Sequence, residues 1–260
     1  MKNRVFSVRY ILLFIAVLSF FSLSPFPLQD RPDPVEIIRR AEEKTRGVNS
    51  SYSEMAITTV RPKWSRTMSM KSWSLGSEYS LIVITSPAKD AGSATLKRGK
   101  EVWSWMPSIE RIIKLPPSMM SQSWMGTDLT NDDLVRESST ITDYTHRMLP
   151  DTMIGSKKCY KIELLPKENT AVVWGKIIAS IDQQDFIQLS SEMYDEDGFL
   201  VNIMRSSNIQ EMSGVKMAAK MEFIPVDDEG HKTIMEFKKL DLDASIEKRF
   251  FTTQNMKRVR

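Results

Sequence analysis

Three patterns of apolar and polar residues succeed one another along the chain. Tyr10 to Leu23 (YILLFIAVLSFFSL) is apolar throughout, with no polar alternation. From Asp33 the apolar positions recur at helical spacing. Asp33 is an N-cap acid, Pro34 suits the first helical position, and Glu36 is placed to close a capping box. Val35, Ile38 and Ala41 form a narrow apolar stripe and Gly47 a fitting stop, so one amphipathic helix is expected over about 34–46.

After this helix the period falls to two. Segments 53–61, 66–74, 79–85, 94–97 and 101–106 are short, rich in β-branched, aromatic and Met residues, and separated by turn residues. The pattern resumes at 160–165, 172–181, 187–194, 199–206, 215–224 and 232–240. Asp195-Glu196-Asp197-Gly198 and Asp227-Asp228-Glu229-Gly230 have hairpin-turn composition, and Gly99 takes the left-handed position of another hairpin. About eleven strands with few helices between them predict a mainly β fold, an antiparallel barrel or strongly curved sheet. Composition marks no break, so residues 33–260 are expected to be one domain.

One stretch departs from this pattern. Leu115 to Arg136 opens on Pro116-Pro117, lacks alternation, and carries Met119, Met120, Trp124 and Met125. Thr130 to Asp133 then offers a second capping box and a short helix. An insertion of this length with large apolar side chains must cover something apolar, and a lid or plug over the sheet's concave face is the natural expectation.

The apolar run at the start follows Lys2, Arg4 and Arg9. Its fourteen residues fall short of the roughly 20 that span a bilayer, and match a secretory signal followed by small residues at Ser22 and Ser24. Residues 1–24 are expected to be a signal peptide, with Pro25 making the cleavage site uncertain and an uncleaved anchor the alternative; 25–32 form a spacer. No cysteine follows the run, so N-terminal lipid attachment is not expected. Export follows. The leader also accounts for the charge: the chain has 36 basic and 33 acidic residues, and without those three the remainder balances at 33 each. That gives no electrostatic case for a nucleic-acid partner.

Candidate chemistry is sparse. No nucleophile elbow, P-loop, dinucleotide fingerprint or zinc-protease motif occurs. The single cysteine, Cys159, starts a strand and is expected to be a buried small hydrophobe. His146 and His231 lie in polar, surface-like stretches. Asp128, Asp132 and Asp133 lack calcium-loop spacing, and Asp133 has a role in capping. No enzyme activity, metal site or cofactor is expected.

Tryptophan and methionine are the informative residues. Trp64, Trp73, Trp103, Trp105 and Trp124 lie within 64–124, and Met55, Met68, Met70, Met106, Met119, Met120 and Met125 within 55–125. Met68 with Met70, and Trp103 with Trp105, share a strand face. They are either plain core or, because Met is flexible and polarizable, the lining of a cavity for variable apolar ligands. The candidate lipid-binding set is Met55, Met68, Met70, Trp73, Trp103, Trp105, Met119, Met120, Trp124 and Met125.

Two long stretches, Gly92–Arg111 (GSATLKRGKEVWSWMPSIER) and Pro117–Leu134 (PSMMSQSWMGTDLTNDDL), resemble the outer membrane lipoprotein-sorting proteins related to LolA. DEDG at 195–198, HKT at 231–233 and FTTQNMK at 251–257 fit the same family, and the M-G-T-D-L-T-N-D-D-L stretch is the most specific part. The resemblance implies a half-open antiparallel barrel of eleven strands with a helical lid, in the periplasm of a diderm bacterium, whose concave face shields acyl chains between membranes. It implies as partners an acylated lipoprotein or lipid, an inner-membrane transporter and an outer-membrane acceptor. A sensory or interaction module that binds a signalling or transporter partner through the same fold is the alternative, and a lipid ester hydrolase is disfavoured by the missing nucleophile.

Overall fold

A computed structural model describes residues 31–46, 49–135 and 139–259; the leader, the spacer up to Asp30 and the Gly47 stop lie outside the described residues. Every described element belongs to one compact unit, Asp33–Arg260. Helix α1 spans Pro34–Arg46, as the capping pattern predicts. Asp33 Oδ1 accepts from Val35 N at 3.0 Å. Glu36 does not close the box, because Arg39 one turn on holds its carboxylate. The buried stripe is Ile37, Ile38 and Ala41.

The strands are β1 Ser50–Arg61, β2 Trp64–Leu75, β3 Tyr79–Ser86, β4 Ala94–Arg98, β5 Glu101–Met106, β6 Arg111–Leu115, β7 Tyr144–Ile154, β8 Lys157–Pro166, β9 Lys176–Asp182, β10 Gln188–Tyr194, β11 Leu200–Met212, β12 Val215–Pro225 and β13 Lys232–Leu242. They form one antiparallel sheet in the order β6-β5-β4-β3-β2-β1-β13-β12-β11-β10-β9-β8-β7. The chain starts in the middle, meanders out to β6, and reappears at the opposite edge as β7. It then meanders back until β13 pairs with β1. The connection 116–143 therefore has to pass from one edge of the sheet to the other.

The mainly β, antiparallel and unclosed architecture is the expected one; the sheet has thirteen strands where about eleven are expected. The two additional strands, β6 and β7, are its two edges. Edge strands lack a neighbour on one side, so their alternation is weak. Arg111–Leu115 has two adjacent isoleucines, and β7 tolerates Pro150 at an irregularity between Leu149 and Thr152.

The faces differ in what covers them. On the inner face, α1 packs against Tyr144, Ile162, Leu164, Trp174, Ile177 and Ile181 of the β7–β9 side. The crossing covers Met55, Ile57, Met68, Met70, Ile82 and Ile84 on β1–β3. On the outer face, the C-terminal segment lays the turn Lys248–Phe250 and the short helix α3, Thr253–Met256, over Leu81, Val83, Leu96 and Trp105. Thr252 caps α3 by accepting from Asn255 N at 3.0 Å, and Phe251 and Met256 are its buried anchors.

Candidate functional site

The crossing is a self-bonded loop clasped to one end of the sheet. Within it, Trp124 N donates to Leu129 O at 2.8 Å, and Thr127 Oγ1 to Trp124 O at 2.7 Å. Asn131 Nδ2 donates to Met119 O at 2.9 Å. Met125 and Gly126 turn the chain with φ of 50° and 74°, and at Gly126 the missing Cβ makes this left-handed turn inexpensive. Helix α2, Asn131–Val135, opens on the predicted reciprocal box: Thr130 N donates to Asp133 Oδ2 at 2.9 Å and Asp133 N to Thr130 Oγ1 at 3.0 Å.

Asp128 holds the loop to the sheet. Arg61 on β1 grips it with two bonds, Nη1 to Oδ2 and Nη2 to Oδ1, both at 3.0 Å. Thr233 on β13 donates to Oδ2 at 2.8 Å and accepts from Asp128 N at 2.8 Å. Asn202 on β11 donates to Asp128 O at 2.9 Å. Arg61 and Arg66 also bond the carbonyls of Gly126 and Met125, at 3.1 and 2.6 Å. The G-T-D-L stretch is therefore an anchor joining three strands, and the clustered carboxylates serve structure. Among the described residues no group of three or more His, Cys, Asp or Glu could hold a metal ion.

Between strands β3–β6 and this loop lies a cavity of about 370 Å³. Ile82, Ile84, Ile113 and Leu115 line its sheet side, and Met119, Trp124 and Met125 its loop side. Polar groups make up the other half of the lining: Lys89, Asp90, Gln122 and Asn131, with the hydroxyls of Ser93, Thr95, Ser104, Ser108 and Ser123.

The ten candidate lipid-binding residues do not share one cavity. Met119, Trp124 and Met125 line it. Met55, Met68 and Met70 are buried beside it under Trp124 and Leu129, and Met120 packs with Val102 and Val135. Trp73, Trp103 and Trp105 lie on the opposite face, against the C-terminal segment. The sequence carries a signal for this: Met70 and Trp73 stand an odd number of positions apart on one strand and so point to opposite faces. Ile82, Ile84, Ile113 and Arg61 complete the site without having stood out, because an isoleucine in a strand or an arginine at a strand end is unremarkable until a partner is placed beside it; Thr233 belongs to the HKT stretch that fits the resemblance, which gives it no role.

Other candidates are structural. Cys159 is fully buried on the outer face, and burial pushes its thiol up, away from the thiolate a nucleophile needs. His146 Nε2 lies 2.7 Å from Thr140 O, and His231 Nδ1 3.8 Å from Asp228. Asp133 is half-buried, and its carboxyl accepts from Trp174 Nε1 at 3.1 Å. Burial pushes its carboxyl above the ordinary range, against the bonds from Thr130 and Trp174, and Asp132 adds to the rise. The native state then keeps a proton that the unfolded chain loses. The stability this contributes is complete below about pH 4 and is lost as pH rises through the native value. Asp133→Asn should flatten that part of the pH dependence of the urea midpoint; an unchanged slope would assign it to other groups.

An open antiparallel sheet with a helix and a clasped loop on its inner face is an architecture that solved structures share. The fold matches a domain described as an outer membrane lipoprotein-sorting protein domain from Vibrio parahaemolyticus, with TM-score 0.76 and 20% identity over 86% of this chain and 98% of that one. It matches a LolA superfamily protein from Nitrosomonas europaea, with TM-score 0.74 and 23% identity over 85% and 98%. It also matches a DUF1329 family protein from Desulfovibrio piger, with TM-score 0.77 and 21% identity over 86% and 99%. The resemblance read from the sequence holds at the level of fold. Residues 76–258 match the model of a family whose description reads "Uncharacterized protein", and the chain belongs to that family. No curated protein matches the sequence. No helix among the described residues is long and apolar enough to cross a membrane, which leaves membrane crossing by strands unaddressed.

Proposed function

We propose that the chain is a non-enzymatic periplasmic carrier that shields acyl chains of a lipoprotein or lipid in the inner-face cavity during transfer towards the outer membrane. The observation that carries this is the cavity's construction. Ile82, Ile84, Ile113, Leu115, Met106, Met119, Trp124 and Met125 give it apolar walls, hydroxyl, amide and charged groups share the lining, and its roof is one loop clasped over an open sheet. At about 0.8 kcal/mol per buried methylene, part of one acyl chain already gives a useful binding energy. The volume, about 370 Å³, is at the small end for ligand pockets, so a cargo with several chains requires the loop to lift. Release needs a partner, because apolar burial alone would trap the cargo. An inner-membrane transporter would load the carrier and an outer-membrane acceptor would unload it.

Met119 and Met125 are the residues to test, since both are half-buried at the cavity and neither belongs to the buried core. Replacing both with Ser should weaken binding of a fluorescent fatty acid at least about tenfold, or roughly 1.4 kcal/mol. Far-UV circular dichroism should keep its β signature. Native mass spectrometry of the protein purified from its host should show retained acylated ligand. An empty protein that binds no fatty acid would favour the interaction-module reading instead.

A further inference from the structure

The neutral composition of the body conceals a segregation of charge. Two hairpin tips carry six carboxylates, at Asp195, Glu196, Asp197, Asp227, Asp228 and Glu229. The outer face around the C-terminal segment has the opposite sign. Arg98, Lys114, Lys248, Arg249, Lys257 and Arg258 are exposed there against Glu101 and Glu247; Glu78 and Lys100 flank them and offset one another, and Asp241 and Asp243, with Lys239, lie where β13 leads into the segment. Glu101 is already engaged with Lys114 and Glu247 with Arg249.

Under these cations lies a row of aromatic rings. Lys248 sits over Tyr79 at 5.2 Å, Lys257 over Trp105 at 4.9 Å and Lys114 over Trp103 at 5.7 Å. Beside them a groove of about 560 Å³ opens between the sheet and the C-terminal segment, with Trp73, Ile246 and Phe250 as apolar lining and Arg249 and Arg258 as its cations. Local basic charge over aromatic rings, of which Tyr79 and Trp103 are partly exposed, is complementary to an anionic lipid surface, where Lys and Arg are drawn to the headgroups and aromatic rings favour the headgroup level. The acidic hairpin tips would be repelled from the same surface, which gives the attraction one orientation.

We propose that this outer face, from β5 and β6 to the C-terminal segment, docks the protein on the surface of a membrane rich in anionic phospholipid. The docking face lies on the opposite side of the sheet from the acyl cavity, so a carrier held this way keeps its loop turned away from the bilayer and free for a partner. The inference does not depend on what the cavity holds.

The test is vesicle co-sedimentation of the full chain with phosphatidylglycerol-containing and with pure phosphatidylcholine vesicles, followed by hydrogen–deuterium exchange on the bound protein. The anionic vesicles should bind at least about tenfold more protein, an advantage lost in high salt. Exchange should slow in peptides covering 245–259 and 101–115 but not in 195–199 or 226–231. The triple variant R249E/K257E/R258E should lose that regional protection and at least about tenfold in anionic-vesicle binding attributable to this face, with fatty-acid binding unchanged. Site-resolved exchange separates this face from the basic leader, which both proteins share. Protection that persists in the variant, equal protection on phosphatidylcholine, or full competition by millimolar inorganic phosphate would each overturn the proposal. The last would mark a site for small anions in place of a membrane dock.

Discussion

Asp128→Ala is expected to lower the unfolding free energy by roughly 3–5 kcal/mol, the cost of breaking a buried pair from one side. The side chains of Arg61 and Asp128 are only 13% and 9% exposed, so little water reaches them. Without the carboxylate, the Arg61 guanidinium stays largely buried with carbonyl partners alone, and Thr233 loses its acceptor. The loop then keeps its apolar contacts, the Arg61 bond to Gly126 O and the Asp128 N bond to Thr233, but loses the carboxylate bonds to β1 and β13. Urea unfolding measures the loss as a lower midpoint at constant slope. Fatty acid should enter the variant faster, because the roof is less firmly held. Arg61→Met combined with Asp128→Leu should recover much of the stability, since replacing both members removes the stranded charge. A drop below about 1 kcal/mol for Asp128→Ala would mean that packing of Trp124 and Leu129 holds the loop without the clasp.

Trp124→Ala should be of similar size in stability and should change the affinity for cargo as well. Trp124 is 6% exposed and packs against the inner-face residues Met55, Ile57, Met68, Met70, Ile82 and Ile84. Truncating a buried tryptophan costs about 3–5 kcal/mol when its surroundings cannot collapse, and sheet residues held by their ladders collapse little. The vacated space joins the existing cavity beneath the loop. Because apolar cavities of that kind stay dry and accept apolar ligands, the variant should bind a fluorescent fatty acid more tightly than the parent while unfolding at lower urea. This pair of outcomes would identify Trp124 as a plug filling space that longer chains compete for. Lost binding in a variant that still folds would identify it as a wall of the site. The distinction also separates Trp124 from Met119 and Met125, whose replacement should cost binding with little stability.

Features made by neighbours in the chain are legible in the amino-acid order. Helix α1 has its cap, proline and apolar stripe within fourteen consecutive residues, and α2 has both halves of its capping box within four. The hairpin turns at 195–198 and 227–230, the period-2 strands and the non-alternating insertion are likewise local, so composition and spacing predict them. Edge strands β6 and β7 escape because a strand paired on one side has no need of the apolar alternation that marks a central one. The site is harder still. Period 2 places Trp103 beside Trp105 and Met68 beside Met70, yet gives no indication of which face meets the crossing and which the C-terminal segment. That assignment depends on strand register and on where two remote segments come to rest. The tertiary structure alone decides it: Trp73, Trp103 and Trp105 go to the face that the C-terminal segment covers, the methionines under Trp124, and Arg61 and Thr233 onto Asp128, which are 67 and 105 positions away in sequence. A balanced total of charges is equally silent about its arrangement, because sign is summed along the chain whereas potential depends on which residues the fold brings to the same face.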